Sequence, residues 1–176
     1  LTVDKLITQK ENLSDYEKIY SKIGSKTLLG SILIYPSDQI ENNDTLLELK
    51  NNNYYSSNCV IGIIGSGNFT KMTLLPALNP QISRIKYLAS QNGFNSTHLA
   101  KKYGIKFSTT DYKNILNDSE VDTVIITTRH NTHANIIIDC LEAEKNVFVE
   151  KPLTINEEQL QRVLEVYKKT KFSSLM

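Results

Sequence analysis

One stretch limits what this chain can fold into: Val60-Ile61-Gly62-Ile63-Ile64-Gly65-Ser66-Gly67-Asn68-Phe69-Thr70, an apolar run that breaks into glycines and then into a helical pattern. A continuous β-branched run suits a strand buried on both faces, and such strands belong to parallel sheets. Gly65 and Gly67 then allow a tight turn and a close approach of backbone to a ligand. The turn leaves N–H groups at the start of the next helix, where the helix dipole favours negative charge, so a pyrophosphate can rest there without any side chain. The dinucleotide fingerprint is G-x-G-x-x-G, and its third glycine is Thr70 here. A small residue at that place lets helix and strand pack closely, so Thr70 is expected to weaken cofactor affinity. Glycine pairs after a strand also occur in methyltransferases and in plain turns.

From Asn58 onward strands and helices alternate, which predicts an α/β fold: a Rossmann-like, doubly wound parallel sheet covered on both faces. After the glycine turn a helix carries Met72, Leu74, Leu75 and Leu78, with Pro76 expected to kink it. Further strands are predicted at 85–89, 106–109, 123–127 and 146–149. Ser96 is a candidate cap for a helix ending at Gly104, and a short helix is predicted at 111–116. Asn131 is a candidate cap for the helix carrying Ala134, Ile137, Ile138 and Leu141, and a last helix is predicted at 156–169.

In an open parallel sheet, ligands bind outside the carboxyl ends of the strands, where strand order reverses. That edge would collect Gly65, Ser66, Gly67, Asn68 and Phe69, then Ser90, Gln91 and Asn92, then the run from Thr127 and Thr128 through Arg129 and His130 to Asn131, and lastly Glu150 with Lys151. A site specific for NAD places Asp or Glu after the second strand to take the ribose 2′-hydroxyl; none stands there, and no Arg or Lys stands beside it for a 2′-phosphate. NAD and NADP both remain open. Lys151 is the candidate catalytic residue: an ammonium held by Glu150 at a strand end, before Pro152, could donate to a substrate oxygen. The alternative is a solvated surface lysine.

The chain has 176 residues, 40% of them hydrophobic, enough for one α/β core and an appendage. Its 20 basic and 19 acidic residues give a net charge of +1, which argues against a nucleic-acid footprint or a basic membrane patch. No apolar run is long enough to span a bilayer and no signal segment opens the sequence, so a cytoplasmic location is expected. Cys59 and Cys140 are expected to be buried thiols, and no metal-binding spacing exists. Because it begins at Leu1 and stops at Met176 in mid-pattern, the chain is expected to be a piece of something longer.

Residues 1–36 have their own rhythm and predict a small βαβ-like appendage. A strand candidate lies at Lys5 to Thr8. Ser14 and Glu17 fit a capping box ahead of Tyr16, Ile19, Tyr20 and Ile23, and Gly24 ends that helix. A second strand, Ser31 to Tyr35, is stopped by Pro36. Residues 37–57 are expected to be a linker with at most one helical turn around Leu46 and Leu47.

Two resemblances add to this. Leu6-Ile7-Thr8, the helix around Tyr20, Leu29-Gly30 and Tyr35-Pro36 resemble the closing tail of a zinc-type medium-chain alcohol dehydrogenase, a tail without that family's zinc-binding or catalytic residues. Val60 to Thr70, Asp111-Tyr112, Thr127 to His133 and Val147-Phe148-Val149-Glu150-Lys151-Pro152 together resemble the nucleotide domain of the Gfo/Idh/MocA oxidoreductases over residues 58–176. The resemblance implies a nicotinamide dinucleotide, NAD or NADP, as cofactor, with Lys151 near nicotinamide and substrate and with Asn131 and His133 near the nicotinamide ribose. His133 could equally be a helix-start residue bonded to backbone. Arg129-His130 stands where a Pro-containing turn is common in that family. The implied parent is a bi-domain NAD(P)-dependent oxidoreductase acting on a sugar-like alcohol or ketone, forming homo-oligomers through a substrate domain absent here, so that this chain binds cofactor without turning over. The alternative is a non-catalytic dinucleotide-binding sensor or scaffold.

Overall fold

The computed structural model describes residues 3–26, 28–35, 44–49, 59–170 and 174–176. The chain divides into two compact units, Leu1–Asn43 and Asp44–Met176.

In the first unit β1 (Gln9–Asn12) and β2 (Ser31–Ile34) pair in parallel, with α1 (Tyr16–Tyr20) between them in the chain, giving the expected βαβ arrangement. Its details differ from the sequence expectation. Asp4–Leu6 forms a 3-10 turn rather than a strand, and pairing begins only where Thr8 and Gln9 donate their N–H groups to Gly30 O at 2.8 and 3.3 Å. A further 3-10 turn, Leu13–Asp15, absorbs Ser14, so Asp15 precedes the helix and no side chain caps it. Such a short helix buries only Ile19; Tyr16, Tyr20 and Ile23 stay exposed. Gly24, at φ 89°, supplies the left-handed residue after it. Pro36 and residues 37–43 and 50–57 of the expected linker lie outside the described residues.

The described part of that linker is strand, not helix: β3 (Leu46–Glu48) pairs antiparallel with the later Phe107–Thr109. Then follow β4 (Ile61–Ile64), a wide π turn Thr70–Leu74 running into α2 (Leu75–Ala77), β5 (Ile85–Ala89), α3 (Gly93–Tyr103), β6 (Phe107–Thr109), α4 (Lys113–Leu116), β7 (Thr123–Ile126), α5 (His130–Glu142), β8 (Asn146–Val149) and α6 (Glu157–Tyr167). The sheet order is β3-β6-β5-β4-β7-β8, parallel throughout except at the β3 edge. β4 comes first among the parallel strands and sits mid-sheet, so the order reverses between β4 and β7.

Alternation along the strands feeds a core on each face. Ile61, Ile63 and Ile125 pack with Leu75, Leu99 and Ala100; Ile64, Val124 and Ile126 pack with Ala134, Ile137, Leu141 and Val163. Each such aliphatic side chain contributes about 1.5–3 kcal/mol by leaving water. Gly62 admits α4 to the sheet, since a Cβ there would lie 2.3 Å from Ile115 Cγ2.

Several boundaries move from their expected places. Asn92, not Ser96, caps α3 by accepting Phe94 N–H at 3.2 Å, while Ser96 is buried and its hydroxyl donates to Gly93 O at 3.1 Å. Gly104, at φ 68°, closes α3 as expected. Arg129 is the cap residue of α5, which puts Asn131 inside the first turn. Pro76 has no N–H to return to the preceding turn, and the helix is wide just ahead of it. Cys59 is exposed, a correction to the expected burial, whereas Cys140 is buried; both are free thiols. Residues 174–176 run beside β8, with Val147 donating to Ser174 O at 2.7 Å and Met176 to Val147 O at 2.9 Å.

The amino end of the sheet holds a charged cluster. The Lys86 ammonium bonds Asp118 and reaches Glu120 Oε2 at 2.7 Å, and the Tyr87 hydroxyl donates to Asp118 Oδ2 at 2.7 Å. Burial works to raise the Asp118 carboxyl, but bonds from Lys86, Tyr87 and the Glu120 N–H outweigh it and hold it below the usual carboxylate range. Burial likewise works to lower the Lys86 ammonium, and bonds to Asp118 and Glu120 leave it raised. Burial outweighs the opposing charges of Asp118, Asp122 and Cys140 at the neighbouring Lys145 and leaves it lowered; its ammonium donates to Asp118 O at 2.9 Å and Val121 O at 2.7 Å.

Candidate functional site

The opposite, carboxyl edge carries the candidate site. There the ladder continues one residue past each strand: Ser90 N–H donates to Thr109 O at 2.9 Å, Gly65 N–H to Ala89 O at 2.8 Å, Thr127 N–H to Ile64 O at 2.8 Å and Glu150 N–H to Ile126 O at 2.9 Å. Ser90, Gly65, Thr127 and Glu150 therefore stand in one row on neighbouring strands. At about 4.8 Å per strand the row spans about 14 Å, the scale of an extended dinucleotide, and each polar segment singled out in the sequence starts from it.

The glycine turn occupies the middle of the row, at the point where strand order reverses. Gly65 has φ 120°, and a Cβ there would meet Thr127 Oγ1 at 2.5 Å and the Thr127 carbonyl at 2.7 Å, so both conformation and packing demand glycine. Gly67 is different, because a Cβ there meets no atom of the described residues within 4 Å. Ser66 is buried, while Asn68 and Phe69 are exposed beside it. Thr70 is fully buried, and its hydroxyl donates to Gly65 O at 2.8 Å while lying 2.7 Å from Thr127 Oγ1. In place of a third glycine, a pair of threonine hydroxyls, one opening the π turn and one just past the end of β7, pins the turn. Nothing local in the sequence pairs residues so far apart.

Toward β5 the row ends in Ser90, half-buried, and Gln91, exposed; Asn92 is committed to capping α3. No carboxylate stands among these residues.

Residues 59–174 match the oxidoreductase family profile described as having an NAD-binding Rossmann fold, GFO_IDH_MocA. The chain belongs to the Gfo/Idh/MocA oxidoreductase family. Among curated relatives, the myo-inositol 2-dehydrogenase of Thermotoga maritima is 35% identical over 71 residues, 40% of this chain and 21% of that protein. The inositol 2-dehydrogenase of Salmonella typhimurium is 42% identical over 59 residues, 34% of this chain and 18% of that protein. A solved 3-ketoreductase from Actinomadura kijaniata, in complex with NADP and TDP-benzene, superposes with a TM-score of 0.57 at 27% identity, covering 62% of this chain and 34% of that one. The chain thus spans about a third or less of the length of the relatives it matches.

The Gfo/Idh/MocA motif residues on β7 and β8 complete the edge. Thr127 is buried in the threonine pair, and Thr128 accepts the Thr132 hydroxyl at 2.7 Å. Asn131 is exposed on the first turn of α5. His133, the next turn in, is fully buried: Nδ1 lies 2.8 Å from Pro152 O and Nε2 3.1 Å from Thr128 O. Its ring is committed to backbone rather than to the rim, the alternative that the sequence had left open. Glu150 is half-buried and Lys151 exposed, with the Lys151–Pro152 bond cis. The expected Glu150–Lys151 ion pair is not formed; among the described residues Lys151 enters no salt bridge. At the end of the row its ammonium therefore has no carboxylate partner among the described residues. Among the described residues no His, Cys, Asp and Glu group could hold a metal, and no helix is long and apolar enough to cross a membrane.

Proposed function

We propose that the carboxyl edge binds a nicotinamide dinucleotide, NAD or NADP, along the row from Ser90 to Lys151. The observation that carries this is Gly67. Neither its own conformation nor any neighbouring atom of the described residues calls for glycine there, and a missing side chain suits a group from outside the chain, such as a pyrophosphate laid on the turn. The backbone of Gly65, Ser66, Gly67, Asn68 and Phe69 would hold the pyrophosphate. Ser90 and Gln91 would face the adenosine ribose, and Thr127, Thr128 and Asn131 the nicotinamide half, with His133 and Glu150 supporting it from beneath.

When bound, the cofactor supplies hydride exchange at the nicotinamide ring. The part of this chain in that exchange falls to Lys151, whose ammonium, unpaired among the described residues, can donate a hydrogen bond to a substrate oxygen. The substrate class fits a sugar-like alcohol or ketone, as the inositol dehydrogenases among the relatives suggest, and the parent would be a cytoplasmic homo-oligomer. Residues 1–36 would belong to a medium-chain dehydrogenase unit fused ahead of this domain, a placement supported by their separate parallel βαβ unit. The chain as it stands would bind cofactor without turnover.

Titration calorimetry with NADH, NADPH and S-adenosylmethionine tests the assignment. Heat of binding is expected from one or both nicotinamide nucleotides and none from S-adenosylmethionine. Binding of S-adenosylmethionine alone would overturn it. In the full-length parent, Lys151→Ala should lower kcat by about 10²–10⁴-fold with cofactor affinity nearly unchanged.

A further inference from the structure

Lys151 lies between fixed backbone groups. On one side Glu150 N–H is bound to Ile126 O at 2.9 Å, the last rung of the ladder between β7 and β8. On the other, Pro152 O is held by His133 Nδ1 at 2.8 Å. The same ring reaches Thr128 O through Nε2 at 3.1 Å, one residue before the Arg129 cap of α5. A carbonyl oxygen only accepts, so each contact asks the facing nitrogen for a proton; the protonated ring supplies both, and either neutral tautomer one. The ring is fully buried on α5 and offers nothing to a ligand.

We propose that His133 is a positioning residue, which ties the segment bearing Lys151 to the segment leading into α5 and so sets where the Lys151 ammonium stands against the nicotinamide half of the cofactor, a role that rests on the proposed placement of Lys151 beside that half. Pro152 cannot donate a backbone N–H of its own, so its carbonyl is the handle by which this segment is held. Loss of the ring nitrogens frees the far side of Lys151 while leaving the rung at Glu150 intact.

The test uses the whole chain with His133→Phe, which keeps a ring of similar size and removes both ring nitrogens, and His133→Gln, which keeps an N–H donor. Periodate-oxidised NADP is the probe. Its only vicinal diol lies on the nicotinamide ribose, and the resulting dialdehyde condenses with a nearby primary amine, releasing water, to an imine that borohydride fixes as a secondary amine. Mass spectrometry is expected to find the adduct on Lys151 in the parent chain and not in Lys151→Ala. At saturating reagent, His133→Phe is expected to form it about tenfold more slowly, with His133→Gln between the two. Amide exchange of the peptide over 150–155 should quicken about tenfold in His133→Phe while a β5 peptide keeps its protection. Equal labelling rates and equal exchange would overturn the positioning role. Absence of the Lys151 adduct in the parent chain would instead overturn the placement of Lys151, and the exchange comparison alone would then decide for or against the clamp. If His133→Phe does not fold, the same comparisons are made on His133→Gln, with unchanged labelling and exchange again overturning the role.

Discussion

The two glycines of the turn should fail in opposite ways when each is given a methyl group. In Gly65→Ala the added Cβ meets Thr127 Oγ1 at 2.5 Å and the Thr127 carbonyl at 2.7 Å, at a φ of 120°. Holding a non-glycine residue in that region costs about 1–3 kcal/mol, and overpacking against a buried strand end costs about 1–3 kcal/mol more. The sum, about 2–6 kcal/mol, is a large part of the 5–15 kcal/mol that keeps a typical domain folded. In Gly67→Ala the Cβ meets nothing of the described residues within 4 Å, and a Gly→Ala change at a compatible φ stabilises by about 0.4–1 kcal/mol through the unfolded chain. Where a pyrophosphate must lie, the same methyl becomes an overpacked contact of about 1–3 kcal/mol, or about 5- to 150-fold in Kd. Urea denaturation followed by circular dichroism reads the first quantity, and calorimetric titration with NADH and NADPH the second. Gly65→Ala should lose about 2–6 kcal/mol of stability. Gly67→Ala should keep or gain stability and lose affinity. A Gly67→Ala chain that binds both nucleotides as tightly as its parent would refute the argument that this glycine answers to a ligand.

Other outcomes follow from contacts away from the turn. Lys86→Met leaves Asp118 partly buried without its cation, and should destabilise the larger unit by about 3 kcal/mol in urea at neutral pH. Asp118 is held below its ordinary value of 3.8, so its contribution is full above that pH and fades as pH falls through the lowered folded value; Asp118→Asn should flatten the acid limb of stability against pH, and an unchanged limb would count against the pair. Lys86 is raised above 10.5, so its contribution is full below that pH and fades as pH rises through the folded value, an alkaline limb that Lys86→Met should remove. Burial, with the Asp139 charge adding and Lys145 opposing, pushes the Cys140 thiol up to about 12, so Ellman's reagent at pH 8 should titrate Cys59 promptly and Cys140 only after denaturation. Asn92→Ala removes the cap of α3 and should cost about 1 kcal/mol by the same urea assay.

What could be seen in the sequence was local, and what could not was a matter of pairing across the fold. The run Val60 to Ile64 announces a buried strand because β-branched residues side by side leave no face for water, and the strand at 123–127 was legible for the same reason; those at 85–89 and 146–149 were legible from short apolar stretches set between helical patterns, all to within a residue. β3 was not, since Leu46-Leu47-Glu48 is too short to show a period, and its strand character comes from the register it takes on β6. Helix starts were misplaced where several polar residues crowd together: Asn92 and Ser96 are both able to cap, and only the path of the chain out of β5 decides which one faces an N–H. The edge residues of the site were foreseen as a set because the parallel-sheet rule fixes which ends meet. Their individual bonding was not, and Lys151 proves to be free of the carboxylate expected to hold it.

Thr70 shows why a departure from a motif can be misjudged from the motif alone. The third glycine is read as a requirement for room between helix and strand, which makes threonine look like a defect. Here the side chain is fully buried, and its hydroxyl closes a circuit with Thr127 and the Gly65 carbonyl. Thr70→Gly would restore the fingerprint while deleting that hydroxyl and a buried methyl, at an expected cost of about 2 kcal/mol from a lost hydrogen bond, lost burial and added chain entropy. If room were the limiting quantity, the restored glycine would bind NADH more tightly; if the hydroxyl circuit holds the turn in place, affinity falls along with stability. Calorimetry on Thr70→Gly beside Thr70→Val, which keeps the bulk and loses only the hydroxyl, separates the alternatives, and tighter binding by the glycine variant would restore the view of Thr70 as a defect.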